Sequence, residues 1–213
     1  MQDMPTEPTR DHDGDAAGLA ALIGSRICHD LISPIGAISN GVELLAMAQE
    51  ASPEVALIAQ SARNASARVR FFRIAFGHAA PGQRIAAAEL REAVAGYFHG
   101  GRTSADWQVP EGIGRADARL LLLLLLCLET ALAWGGRIAV APAGDRFRLT
   151  AVADRLRAEP ALWEAVSPLP QAPSHPAHRD AALVHFALAG LALAACGRAL
   201  SAEFGDTAIT LQV

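Results

Sequence analysis

Between residues 55 and 76 the chain carries Val55, Ile58, Ala62, Ala65, Val69, Phe72 and Phe76 at strictly alternating spacings of three and four. Only an α-helix gathers such a row onto one side, and a seam of this kind requires other helices to cover it. Upstream, Ile27, Leu31, Ile35, Ile38, Val42 and Leu45 follow spacings of 4, 4, 3, 4 and 3, one stripe of a long helix over about 16 to 50. The "EASP" break at 50 to 53 separates the two, with Ser52 placed as N-cap and Pro53 at the first helical position. Arg63, Arg68, Arg70 and Arg73 fall off the seam, as a solvated face would. Two antiparallel helices cannot enclose a core alone. The pattern therefore predicts a helical hairpin that dimerises into a four-helix bundle.

After the Gly- and Pro-containing segment "GHAAPGQ" (77 to 83) the pattern changes to short alternating elements, those of an α+β unit. Helices are predicted at about 86–99, 116–134, 158–166 and 180–197, and strands at about 105–109, 136–142, 146–153, 199–204 and 207–212. "EFGDTAITLQV" reads as a closing hairpin turning at Gly205-Asp206. The expected organisation is a disordered acidic tail over 1–15, a helical hairpin over 16–80 and the α+β unit over 84–213. "SPLPQAPSHPAH" (167 to 178), with four prolines, is expected to be an exposed loop.

The formal net charge of −4 is nearly all contributed by that tail, where five acids face Arg10 alone. No basic cluster suggests nucleic-acid binding. All eighteen basic residues are arginine, which excludes Schiff-base chemistry and the lysine of a phosphate-binding P-loop. Cys28, Cys127 and Cys196 lie far apart in apolar contexts and read as buried free thiols of a reduced, cytoplasmic protein. Seven leucines at 120–126 sit between Arg119 and Glu129, too short a run for the ~20 residues of a membrane span. A buried helix is expected there, and no secretion signal is read at the acidic N-terminus.

One stretch does not fit an ordinary bundle helix. In "SRICHDLISPIGAISNG" (25 to 41), His29 and Asp30 are followed by Pro34. At about 100° per residue His29 lies about 160° from both Ile27 and Leu31, on the face opposite the stripe. Asp30 is adjacent but points about 100° away, so it is not automatically the partner of His29. A proline at 34 cannot donate to the carbonyl of Asp30, an interruption that costs about 3 kcal/mol in a helix interior. Small neighbours, Ser25, Ser33 and Gly36, leave the imidazole approachable.

"HDLISP" resembles the H-[ED]-x-x-x-P phosphoacceptor box of sensor histidine kinases, and "SRICHDLISPIGAISNGVELL" is more closely similar to the ChpT-type histidine phosphotransferases of bacterial phosphorelays. The resemblance spans about residues 16–213 and rests mainly on 25–45. It implies that His29 accepts a phosphoryl group from the receiver domain of a hybrid histidine kinase and passes it to the aspartate of response-regulator receivers. Mg²⁺ would be supplied by the receiver partner, and Asp30 would tune the imidazole. Arg26, Ser33, Pro34 and Asn40 are the candidate receiver contacts. Ile32 stands where the kinases often have a basic residue, a departure that argues against kinase or phosphatase activity.

The same resemblance implies that 84–213 is a degenerate Bergerat-type, histidine-kinase ATPase-like sandwich. The helix that should carry a metal-ligating Asn reads "ADARLLLLLLLCLETALAWGG", with leucines where that Asn would stand and Glu129 and Thr130 as polar remnants after them. "AVADRLRAEP" keeps Asp154 without a following glycine, and "RDAALVHFALAGLAL" has the single Gly190 where a lid cluster belongs. ATP binding is not expected, and no cofactor or metal is assigned to this chain. Three rivals remain. An active histidine kinase would autophosphorylate with ATP. A metal-dependent HD-type phosphohydrolase would need further ligands near His29 and Asp30. A dimeric scaffold would leave receiver phosphate untouched. His175 and His178 have ligand-like spacing but lie in the proline-rich loop.

Overall fold

The computed structural model describes residues 11–48, 52–166 and 180–213. Helix α1 (Asp11–Ala48) and helix α2 (Pro53–Ala75) form the hairpin. α1 begins at Asp11, upstream of the expected 16. At the start of α2 the Ser52 hydroxyl accepts from the Val55 amide at 3.4 Å and Pro53 opens the first turn.

The α1 stripe does not bury as one row. Val42 is buried, together with Ala21 and Cys28, whereas Ile27, Leu31, Ile38 and Leu45 remain exposed, Ile27 and Ile38 by 54% each. Ala21, Cys28, Ile35 and Val42 repeat every seven residues, and a hairpin offers each helix only one neighbour to cover such a row. Ile27, Leu31, Ile38 and Leu45 form a second, open seam on α1.

Beyond the hairpin come β1 (Arg84–Ile85), α3 (Ala87–Phe98), β2 (Thr103–Trp107), β3 (Ile113–Gly114), α4 (Arg115–Ala131), β4 (Gly136–Ala143) and β5 (Arg146–Val152). They are followed by α5 (Pro160–Glu164), α6 (Val184–Cys196), β6 (Ser201–Phe204) and β7 (Ala208–Gln212). The five-stranded sheet runs β2-β4-β5-β7-β6, parallel only between β2 and β4. β1 and β3, which carry no sequence signal at two residues each, pair Ile85 with Ile113. β2 starts two residues before the expected 105 because Thr103 takes its register from Gly136. α6 ends at Cys196 because Gly197 adopts φ 61°, the left-handed cap that glycine adopts without steric cost. The proline-rich loop at 167–178 and residues 1–10 of the acidic tail lie outside the described residues.

Strand residues Ile138, Val140, Leu149, Ala151, Ile209 and Leu211 are fully buried on one sheet face. α4 packs against α2, α6, β1, β3 and β4, so all seven leucines at 120–126 are buried, as an all-round apolar helix requires. Each contributes about 1.5–3 kcal/mol of transfer free energy. No helix among the described residues is long and apolar enough to cross a membrane.

The hairpin and the α+β unit share this core. Phe71, Ile74 and Ala75 of α2 belong to the same buried cluster as α4 and the sheet. Tyr97 of α3 stacks on Phe71 with centroids 4.2 Å apart, lies under the Arg68 guanidinium, and donates its hydroxyl to Glu129 at 3.0 Å. Arg63, Arg68, Arg70 and Arg73 are all exposed, as expected, and Arg70 and Arg73 also pair with Glu92 and Glu89 of α3, each at 3.2 Å. The second face of α2 is therefore an interface.

Candidate functional site

His29 stands on the outer surface of α1 with its side chain 81% exposed. The helical turn places it about 110° from the buried row and about 175° from the open seam, so both can be covered while the imidazole stays free. Its Nδ1 lies 3.2 Å from Asp30 Oδ1, and Arg26 donates from Nε to Asp30 Oδ2 at 2.8 Å. The short Asp30 side chain swings back toward its neighbour because Arg26, one turn earlier, holds the other oxygen. The hydrogen bond from His29, and then Arg26, keep the Asp30 carboxyl below its ordinary range. An ionised carboxylate only accepts, so this contact puts the imidazole proton on Nδ1 and leaves the Nε2 lone pair facing solvent.

Arg26, Ser33 and Asn40 recur every seven residues on the His29 side, and all three are exposed. Pro34 is exposed too, but the turn carries it toward the open seam, away from the imidazole. The helix runs continuously through it, and the Asp30 carbonyl has no donor at position 34. Asn40 opens onto a groove of about 600 Å³ between the hairpin and α3, where Gly36 and Glu43 face Arg70, Arg73, Glu89 and Glu92. Sequence reasoning missed the groove's charged residues. The signal was there in paired spacings of three, Arg70 and Arg73 on one helix, Glu89 and Glu92 on the next.

Two residues behind His29 also matter. Ser25 accepts the His78 amide at 2.9 Å, tying α1 to the chain leaving α2. Cys28 is buried in the hairpin seam, and burial raises its thiol above the ordinary range despite Arg73. Cys28, Cys127 and Cys196 are all free.

In the α+β unit Glu129 and Thr130, at the end of the leucine-rich helix, are both engaged. Glu129 is the acceptor of Tyr97, and burial raises its carboxyl. Thr130 donates to the Leu126 carbonyl at 3.0 Å, so its oxygen accepts from His185 Nε2 at 3.1 Å. Burial pulls His185 down to about 4. Asp154 is exposed. Among the described residues no three His, Cys, Asp or Glu side chains cluster as a metal site would.

A family profile described as histidine phosphotransferase C-terminal domain matches residues 87–208. Protein phosphotransferase ChpT of Brucella abortus (strain 2308) is 40% identical over 155 residues, covering 70% of this chain and 74% of that protein. A solved structure of a bacterial phosphotransferase superposes with a TM-score of 0.64 at 29% identity, over 99% of both chains. The profile thus covers the sheet-bearing half, and the structural match extends through the hairpin that presents His29. The chain belongs to the ChpT-type histidine phosphotransferase family.

Proposed function

We propose that this protein relays a phosphoryl group through His29 between receiver domains of a phosphorelay. The observation that carries the reading is the orientation of His29: an exposed imidazole with Nδ1 held by Asp30 and Nε2 free. Nε2 attacks the phosphorus of a receiver's aspartyl phosphate, the acyl phosphate P–O bond breaks, and the aspartate leaves as carboxylate. The second transfer reverses these roles with the carboxylate of another receiver as nucleophile. Mg²⁺ is held by the receiver's own acidic pocket. On this chain Arg26, Ser33, Pro34 and Asn40 contact the receiver, and the surface of 84–213 beside the groove gives it a second foothold.

The open seam of Ile27, Leu31, Ile38 and Leu45 supports a homodimer, since a contiguous apolar row on a helical hairpin matches itself in a four-helix bundle. The α+β unit is a degenerate Bergerat-type domain serving recognition and support. The commitment of Glu129 to Tyr97 and of Thr130 to His185 favours relay over autonomous ATP-dependent kinase activity. The free thiols fit action in a reducing cytoplasm.

The test mixes a radiolabelled phosphoreceiver with wild-type and His29→Ala protein. Wild type becomes labelled and drains the receiver, and the label moves on to a second receiver. Equal draining by His29→Ala would reject the assignment, and ATP-dependent labelling of the isolated protein would restore the kinase reading.

A further inference from the structure

A separate cavity of about 480 Å³ opens between residues 79 to 84, the first turns of α4 and the last turn of α6. Small residues, mostly alanine, form its walls, and none of its residues belongs to the His29 face. Its charged groups are Arg84, Arg115 and Arg119, with Gln83 and Cys196 beside them and no carboxylate among the described lining residues. Asp117, two residues along α4 from Arg115, is engaged by Arg198 at 2.8 Å.

Among the described residues none of the three cations pairs directly with a carboxylate. Arg84 donates to the Gly112 carbonyl, and Arg115 donates to the carbonyls of Arg73 and His78. Those acceptors carry no net charge. Arg119 makes no hydrogen bond or ion pair among the described residues, and its Nε is sealed from solvent without a partner. Burial disfavours the charge on both Arg115 and Arg119; at Arg115 the nearby Arg73 and, less strongly, Arg119 add to that penalty, and Glu89 opposes it. A buried guanidinium N–H without an acceptor is uncommon in folded proteins, and it leaves Arg119, which lines the cavity, without a counter-charge among the described residues.

The guanidinium fork matches the oxygens of a phosphate, and three uncompensated charges suit a dianion better than a single carboxylate. The volume falls within the range of small-ligand pockets. We propose that this cavity binds a small phosphorylated molecule, its phosphate held by Arg119 with Arg84 and Arg115 completing the cationic wall. Occupancy would add a charged link among three parts of the chain that already pack together. It would also relieve the repulsion between Arg115 and Arg119.

The test is calorimetric titration of the full chain with inorganic phosphate, pyrophosphate and malonate at matched ionic strength, with thermal melts alongside. Phosphate or pyrophosphate should bind saturably and raise the melting temperature. Arg119→Met, which removes no hydrogen bond among the described residues and keeps an unbranched apolar stem, should weaken binding about ten-fold or more, the loss of one charge-assisted contact. Arg84→Met reads the same effect should Arg119→Met not fold. Absence of saturable binding to wild type, unchanged affinity in a folded variant, or malonate binding as tightly as phosphate would each overturn the proposal.

Discussion

The guanidinium of Arg115, at the head of α4, donates at 2.6 Å to the backbone carbonyl of Arg73 in the last turn of α2. A weaker arm reaches the His78 carbonyl at 3.4 Å. The last carbonyls of a helix lack intrahelical donors, and a cation there also meets the negative end of the helix dipole. The α+β unit thus caps the hairpin with a buried side chain. Arg115→Ala should lower unfolding free energy by about 2–4 kcal/mol, the scale for charged hydrogen bonds removed from a buried site. Arg115→Lys should recover only part, because a point charge cannot fork between two carbonyls. Urea titrations would show it, and wild-type stability in the alanine variant would dismiss the cap.

Gly77 lies inside this junction. A Cβ built there would stand 2.2 Å from the Arg73 carbonyl oxygen and 3.0 Å from both the Arg115 guanidinium and the Ser25 hydroxyl. Gly77→Ala should therefore destabilise by about 2 kcal/mol or more, as overpacking against backbone does. Gly36, within α1, meets nothing within 4 Å, so Gly36→Ala should stabilise by about 0.5–1 kcal/mol through helix propensity. Opposite signs in paired thermal melts are the expected result.

Asp30 is expected to act through the orientation and tautomer of His29. Asp30→Asn can present an amide N–H to Nδ1 and so favour a proton on Nε2, the nitrogen that must attack. Transfer from a phosphoreceiver should slow by about 10²-fold, the low end for positioned acid–base groups, because both side chains are solvated. The rate should fall with receiver affinity unchanged. An equal loss of affinity would instead make Asp30 a docking residue.

The two rows of α1 give different phenotypes. Ile38→Asp places a charge on the open seam and should convert the proposed dimer to a folded monomer, read by analytical ultracentrifugation with unchanged helical circular dichroism. Val42→Asp buries an unpaired charge against α2 and should unfold the hairpin, with a loss of several kcal/mol. A monomeric wild type would remove the basis for the dimer.

His185 sets an acid limit on stability. Burial lowers it from 6.5 to about 4, so between those values the unfolded chain binds a proton that the folded chain does not. Stability from this residue is complete above pH 6.5 and is lost as the pH falls toward 4, by up to about 3 kcal/mol. His185→Gln, which can still donate to Thr130, should flatten that slope in melts across the interval. An unchanged slope would assign it to carboxylates elsewhere.

The sequence made the helical hairpin readable because seven-residue repeats survive any tertiary context. It did not reveal that α1 carries two rows instead of one, since Ile27 and Ile35 have the same residue type and only the number of neighbours separates them. His29 was legible from its angular distance to the stripe. Its bond to Asp30 was not, because that contact depends on a rotamer set by Arg26. Strand edges shifted by two residues where pairing partners such as Gly136 decide the register, information that is non-local. The shared core was hidden because Phe71 and Ile74 lie off the seam among the arginines of α2, and nothing local shows that other elements cover them.

Tyr97 is the chain's only tyrosine, and it touches Phe71, Arg68 and Glu129, residues from both the hairpin and the leucine-rich helix. That position makes it a built-in gauge. Any change in the angle between the two parts alters its stacking, its hydrogen bond or the charge above its ring, so its ring resonances in a nuclear magnetic resonance spectrum follow the junction without an introduced label.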